Sequence, residues 1–303
     1  MRHLLSALLL TLTALSARAE EARWTYMGHG QLIVNDLIGD RLDRWRTGSI
    51  AASHVFGPGW SGALPERPGE IVEFRILGEI IAPRKLNLAF AGDRPYAQSL
   101  SLGLHTHFQN GGWQASAGAD VVVTGPQLGL DDLQMALHRA AHFNHRISPA
   151  VAAGQIPNDV HLAAVVEVGR EFDLGRAVLR PFVESRAGVE GLARVGFDLT
   201  LGAVGRDALL VRDPVTGLRY RTTRGTARGV SFTAGADVAR VWNSIYLPAP
   251  TYAPTDYRSR ARAGLHWQGE RWSGFYGLTW LGPEFRGQRE GQVVGAMRLS
   301  WRF

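Results

Sequence analysis

The chain has 303 residues with 36 glycines, 9 tryptophans, no cysteine and a formal charge of +6. The length allows one large domain or two ordinary ones, and the lack of cysteine excludes a disulfide framework and thiolate chemistry. The positive charge is almost entirely arginine, with Lys85 the single lysine. It is scattered and accompanies no nucleic-acid-binding motif, so no nucleic-acid partner is expected, whereas an anionic lipid surface remains open.

The N-terminal stretch MRHLLSALLLTLTALSARAEE has a basic start, an apolar run from Leu4 to Leu15 and a small-x-small ending at Ala17-Arg18-Ala19. That is the pattern of a secretory signal peptide over residues 1–19; the run is shorter than the ~20 residues that span a bilayer. The remainder, 20–303, is expected to form one exported domain.

Beyond the leader, long runs of alternating polarity are separated by turns. In VVGAMRLSWRF, Met297, Leu299, Trp301 and Phe303 share one face, and Arg298, Ser300 and Arg302 the other. In RARAGLHWQ, Ala261, Ala263, Leu265 and Trp267 alternate with Arg260, Arg262, His266 and Gln268. In QSLSLGLHTHF, Leu100, Leu102, Leu104 and Phe108 alternate with Ser99, Ser101, His105 and His107. Period two puts alternate side chains on opposite sheet faces. A soluble sandwich and a transmembrane barrel both use such strands. Strand length, aromatics near the ends (Trp113, Trp242, Trp267, Trp272, Trp280, Trp301) and a terminal phenylalanine on the apolar face favour an all-β transmembrane antiparallel barrel.

The pattern predicts about twelve strands, at 27–36, 46–56, 70–82, 95–108, 113–124, 160–171, 178–189, 192–204, 229–242, 258–268, 271–281 and 293–303. With both termini periplasmic, the first strand delivers Asn35 and Asp36 to the outer rim, the second starts there near Thr47, the third ends near Arg84 and Lys85, and the fifth enters segment 125–159. Segment 205–228 fits badly: it falls on the periplasmic side, where short turns are usual, so either the loop is atypical or the count slips there.

Segment 125–159 opens with GPQLGLDDLQMALHR, predicted as a short extracellular helix. Asp131 and Asp132 suit a first turn, and Leu130, Leu133, Leu137 and Ala141 recur at helical spacing. Gln134 and His138 are neighbours at i and i+4. On spacing alone this is a surface helix with an incidental histidine; with His142 and His145 it is also a weak metal cluster matching no strong zinc pattern. Asn35-Asp36 at a strand end is either turn chemistry or a seat for a hard cation of the calcium kind. Lys85 beside Arg84 reads as a basic rim facing anionic lipid or as a phosphate or oxyanion contact.

Four blocks together resemble the outer-membrane lipid A 3'-O-deacylases of the LpxR type. Asn35, Asp36 and Thr47 fall in VND and RWRTGS, similar to that family's N-terminal Asn-Asp and the threonine of its second strand. GDRPYA, Gly92 to Ala97, is similar to its DRPYAG. Gly125-Pro126, Gln134 and His138 stand at the family's spacing, and the aromatic last strand agrees. The resemblance implies a calcium-dependent outer-membrane esterase that removes the 3'-linked acyloxyacyl group from lipid A of lipopolysaccharide. In that reading His138 is the base that activates water, Asp36 and Asn35 hold Ca2+, Gln134 orients the site, Thr47 matches a functional threonine, and Lys85, or Arg84, takes the role of a family lysine. The helix would then carry part of the active site, and the protein is expected to act as a monomer. Two positions depart from the family: Gln98 stands where a glycine follows RPYA, and Arg46 replaces a tyrosine before Thr47. The alternatives are a non-enzymatic barrel, either a small channel or a structural protein, and a barrel phospholipase with a serine nucleophile.

Overall fold

The computed structural model describes residues 24–90, 92–140 and 147–301; for residues 133 and 137–140 it describes the backbone alone. The expected leader, His142, His145, Arg302 and Phe303 lie outside the described residues.

Strands dominate. In chain order they are β1 (Thr25–Asn35), β2 (Trp45–Gly57), β3 (Val72–Ala82), β4 (Ala97–Asn110), β5 (Trp113–Thr124), β6 (Asp159–Arg170), β7 (Phe172–Asp173), β8 (Ala177–Ala187), β9 (Glu190–Leu201), β10 (Leu210–Arg212), β11 (Arg219–Arg221), β12 (Gly229–Ser244), β13 (Tyr257–Gln268), β14 (Trp272–Leu281) and β15 (Gln292–Trp301). Twelve of them, all but β7, β10 and β11, form one antiparallel sheet. It closes where β6 pairs with β8, from Ala164 opposite Ala187 to Gly169 opposite Phe182, and where β1 pairs with β15. These twelve coincide with the predicted runs to within a few residues at each end. Closure leaves the long strands no free edge, which is what a sheet in lipid requires.

The alternation places the apolar face outward. Leu102, Leu104, Leu162, Val183, Val195, Leu265, Met297 and Leu299 are exposed on the outer wall. Exposed aromatics ring both ends: Trp24, Trp113, Phe172, Trp272 and Trp301 near the termini, and Trp242, Tyr257 and Trp280 at the opposite rim. Rings at interface depth are expected of a barrel in a bilayer. Trp267 lies across Gly274 of the paired strand, where an added Cβ would meet the indole at 2.0 Å; the glycine gives the ring its seat.

Inside, the lumen is filled. Segment 205–228 folds up into it as the hairpin β10–β11, with Asp213 and Thr216 closing the turn. Arg212 of the hairpin reaches Glu167 on β6 at 2.6 Å and Asp198 on β9 at 2.8 Å, with its guanidinium 3.7 Å from the Phe182 ring centroid. Tyr220 hydrogen-bonds Ser53 on β2 at 2.7 Å, and Arg260 on β13 donates to the Pro214 and Val215 carbonyls. Leu209, Val211, Leu218 and Tyr220 pack against Leu32, Val34, Ala51, Val55, Phe275 and Val294 of the wall. The strand count therefore holds and the loop is atypical: it is a plug. Part of β1, β2, β14 and β15 turns apolar side chains inward, because the plug supplies apolar partners there. Elsewhere the lumen arginines pair with carboxylates, as at Arg180–Glu167, Arg194–Glu184 and Arg260–Asp237, which buried charges require.

At the rim opposite the termini the loops pack together. Trp45, Leu247 and Phe285 form one cluster, and Ala82, Leu86, Tyr96 and Val151 another. The fifth strand leads into a 3-10 turn, Pro126–Leu128, a helix, Leu130–Ala140 (the rim helix), and a short helix, Pro149–Ala153. Gly129 between the turn and the rim helix has φ 62, a left-handed conformation that glycine adopts without strain.

Candidate active site

The rim end of β1 is built for a sharp change of direction. Asn35 ends the strand, and its Oδ1 accepts from Leu37 N at 2.7 Å, capping the 3-10 turn Asp36–Ile38. The chain then returns to β2 through Arg41, Asp43 and Trp45, whose φ values are 65, 47 and 57. Three non-glycine residues in the left-handed region within so short a loop are strained, and such strain persists where surrounding contacts fix it. Between Arg46 and Gly48 the pairing with β3 slips by one residue, leaving Thr47 as a bulge. A bulge re-aims a side chain out of the strict alternation, and Trp45, Arg46 and Thr47 are all buried in succession.

These distortions create an acidic corner. Asp36, 2% exposed, accepts from Arg44 N through Oδ2 at 2.8 Å and from the Thr47 hydroxyl through Oδ1 at 3.3 Å. Thr47 Oγ1 also lies 2.8 Å from Asp43 Oδ1. Burial, reinforced by the charges of Asp43 and Asp40, outweighs the hydrogen bonds from Arg44 N and Thr47 and pushes the Asp36 carboxyl up to about 7. Among the described residues, no group of three or more His, Asp or Glu side chains forms a ready-made metal cage.

The second part of the site comes from the rim helix. Gln134 is buried, and its Oε1 accepts from the Tyr96 hydroxyl at 2.9 Å. Tyr96 is itself buried; burial, then the charges of Asp131 on the helix and Asp43 on the β1–β2 loop, push its phenol up. Tyr96 is thus bonded to the helix and feels charge from the β1–β2 loop as well. His138 lies one helical turn beyond Gln134 in the same helix; its side chain is outside the described part of the structure.

GDRPYA forms the joint that holds these parts. Asp93 accepts from Arg84 N and Arg94 N, at 2.6 and 2.9 Å. Buried Arg94 pairs with Glu284 of the β14–β15 loop. Arg46 on β2 pairs with the same Glu284 at 2.9 Å and with Glu79, and lies 3.7 Å from Glu190. Arg258 contacts Glu190 at 2.7 Å. The departure at Arg46 is therefore the hub of a buried ion-pair network beneath the rim. Burial pushes the Glu284 carboxyl up, but Arg46, Arg94 and Arg258 outweigh it and hold it well below the usual carboxylate range.

Of the residues singled out from the sequence, Asp36, Thr47 and Gln134 are buried at this rim, with Asn35 at its edge. Lys85 is not brought into contact with them: it is exposed, with its ammonium 5.7 Å from the Phe90 ring centroid. Neighbouring Arg84 is exposed too, with its guanidinium 3.9 Å from Glu290. Two residues escaped the sequence reading, and a third, Gln98, stood out there only as a departure from the family pattern. Asp43 carries no periodic signal, because its carboxylate reaches Thr47 only through the left-handed loop. Tyr96 lay inside a motif already noted, without a role. Gln98, 0% exposed, accepts from Leu130 N at 2.8 Å and Asp131 N at 3.3 Å, a contact that sequence spacing cannot reveal.

The family model described as outer membrane protein LpxR matches residues 4–303. The chain belongs to the LpxR family. Among solved structures, LpxR from Salmonella typhimurium superposes with a TM-score of 0.73 at 17% identity, covering 91% of this chain and 100% of that one, so the two share the barrel fold. The β domain of the Bordetella autotransporter BrkA covers 91% of this chain and 99% of its own, with a TM-score of 0.47 at 11% identity, too distant to bear on the site. No curated protein sequence matches. Family and closed barrel together establish an outer-membrane β-barrel protein.

Proposed function

We propose that this family member is a carboxylic ester hydrolase of the outer membrane, acting on lipid A of lipopolysaccharide as a calcium-dependent 3'-O-deacylase. One observation carries the reading. The Tyr96–Gln134 hydrogen bond fastens the rim helix to a tyrosine that also feels the charge of Asp43, so the helix that bears His138 is tied to the rim close to the Asp36–Thr47–Asp43 corner. Access from the outer leaflet suits a substrate whose sugar and phosphates lie at the lipid surface.

In this mechanism His138, a side chain suited to proton transfer near neutral pH, takes a proton from a water. The hydroxide adds to the ester carbonyl, and the tetrahedral adduct expels the sugar 3'-oxygen. That oxygen recovers a proton from His138, giving a free acid and an alcohol. Gln134, fixed by Tyr96, offers its amide N–H groups to a substrate oxygen. Thr47, already bonded to two carboxylates, holds Asp36 and Asp43 in register.

The donor set fits a hard cation in kind. Asp36 and Asp43 supply carboxylate oxygens of the sort calcium takes; burial raises Asp36 to about 7 with Asp43 and Asp40 adding to the rise, and a dication would relieve the part that comes from those neighbouring charges. The remaining ligands would come from water, backbone or substrate oxygens. When bound, the ion would supply positive charge to the oxyanion of the adduct. The test is lipid A mass spectrometry on outer membranes containing the protein, with calcium supplied. Loss of the 3'-linked acyl group that depends on His138 supports the reading; unchanged lipid A removes it.

The two alternative classes are less well supported. A channel needs a passage, and the β10–β11 hairpin ties to β2, β6, β9 and β13 inside the lumen. A serine hydrolase needs a base on its serine. Two Ser–carboxylate–His constellations occur among the described residues, Ser53–Glu73–His107 and Ser101–Asp120–His105, and both have the wrong order: Ser53 donates to Glu73 at 2.5 Å and His107 meets the far oxygen of that glutamate at 2.7 Å, while Ser101 and His105 meet Asp120 Oδ1 at 3.1 and 3.3 Å.

A further inference from the structure

We infer that Gln98 is a positioning residue for the reaction centre, acting through the N-terminus of the rim helix. The inference rests on the ester-hydrolase reading for its kinetic consequence, though not for its structural one.

A helix begins with backbone N–H groups that have no partner within it. In most helices a Ser, Thr, Asp or Asn just before the first turn accepts from them. Here the residue before Leu130 is Gly129, which has no side chain to give. The acceptor comes from the barrel wall. Gln98, at the second position of β4, directs Oε1 at Leu130 N and Asp131 N at 2.8 and 3.3 Å. Its Nε2 donates to Gln155 Oε1 at 3.4 Å, and its backbone carbonyl accepts from Gly125 N at 3.1 Å. One buried residue therefore holds both the outgoing and the returning arm of the 125–158 excursion and fixes the axial start of the helix against a rigid strand.

Gln134 and His138 lie one and two helical turns further along, so a shift at the helix start is carried to both. Tyr96, two residues before Gln98 in the chain, clamps the same helix at Gln134. The wall thus holds the helix at its first turn and at its middle, by side chains from one short stretch of backbone. Glycine at position 98, the residue of the family pattern, would leave both amides to water or to other groups. The glutamine makes this chain's helix a preset element, tied to the barrel before substrate arrives.

The experiment compares wild type with Gln98→Gly, Gln98→Ala and Gln98→Glu in the full-length, membrane-inserted protein. Glutamate keeps an acceptor oxygen in either protonation state. Amide hydrogen exchange at Leu130 and Asp131 is expected to quicken roughly fivefold in the glycine and alanine variants, the usual scale for a lost cap, and to return toward wild type with glutamate. For lipid A deacylation, kcat is expected to fall by a similar factor with KM little changed, again rescued by glutamate. The heat-modifiable gel shift that reports the folded barrel should not move, because no barrel hydrogen bond is lost. Unchanged exchange at the two amides overturns the inference, as does an equal loss of kcat in all three variants. If wild type itself leaves lipid A intact, the function reading fails while the exchange result still decides whether Gln98 holds the helix.

Discussion

Replacing Tyr96 with phenylalanine removes one oxygen and nothing else from a buried contact. Tyr96 is 1% exposed and Gln134 6%, so water cannot readily replace the hydroxyl that now donates to Gln134 Oε1 at 2.9 Å. A neutral hydrogen bond contributes about 0.5–1.5 kcal/mol net, and a buried acceptor left without a donor costs about 1–3 kcal/mol. If that bond holds Gln134 in the transition state, kcat/KM should fall between about 5-fold and 150-fold, at ~1.4 kcal/mol per factor of ten. The assay is lipid A turnover by purified protein in outer-membrane lipid, read by mass spectrometry. Gln134→Met tests the partner, and the double variant closes the cycle. Coupled residues give a non-additive double variant, with an interaction of about 0.5 kcal/mol or more. Wild-type turnover by Tyr96→Phe, or strict additivity with Gln134→Met, would show that the bond does not set the active geometry.

Further outcomes follow from the same rim. His138→Ala should abolish deacylation without altering the heat-modifiable gel shift, since a proton acceptor is lost and no described barrel contact changes. Calcium chelation should silence the wild type, and Asp43→Asn should weaken calcium binding, measured by titration calorimetry, on the order of tenfold by removing one negative ligand charge. Glu284→Gln should lower barrel stability near neutral pH by about 3 kcal/mol, because Arg46 and Arg94 lose a buried partner. The pH dependence has a defined sign. Since the Glu284 carboxyl is held below its ordinary value of 4.5, its stabilisation is present above that pH and is lost as pH falls through the depressed folded-state value. Thermal melts of wild type and Glu284→Gln should therefore differ at neutral pH and converge only well into acid. A constant gap down to the lowest pH would refute the assignment.

The barrel was legible in the sequence because its physics is local. A bilayer demands apolar side chains on every second residue of a strand, and that demand is written into runs such as Leu100, Leu102, Leu104 and Met297, Leu299, Trp301 without reference to any neighbour. The parity of the strands then fixes which turns share an end, so the sequence alone gathers Asn35, Asp36, Thr47 and the rim helix at one rim. The plug was not legible. Leu209, Val211 and Tyr220 look like part of an overlong turn, and Leu32 and Val34 look like a lapse in alternation, until each is seen to cover the other inside the lumen. The three rim residues whose contacts were not legible share that property. Asp43 reaches Thr47 through left-handed backbone, Tyr96 meets Gln134 across 38 positions of chain, and Gln98 caps a helix that begins 32 residues later. Periodicity records what each residue owes to lipid or water; contacts between distant segments depend on where closure of the barrel brings them, and only the tertiary structure decides that.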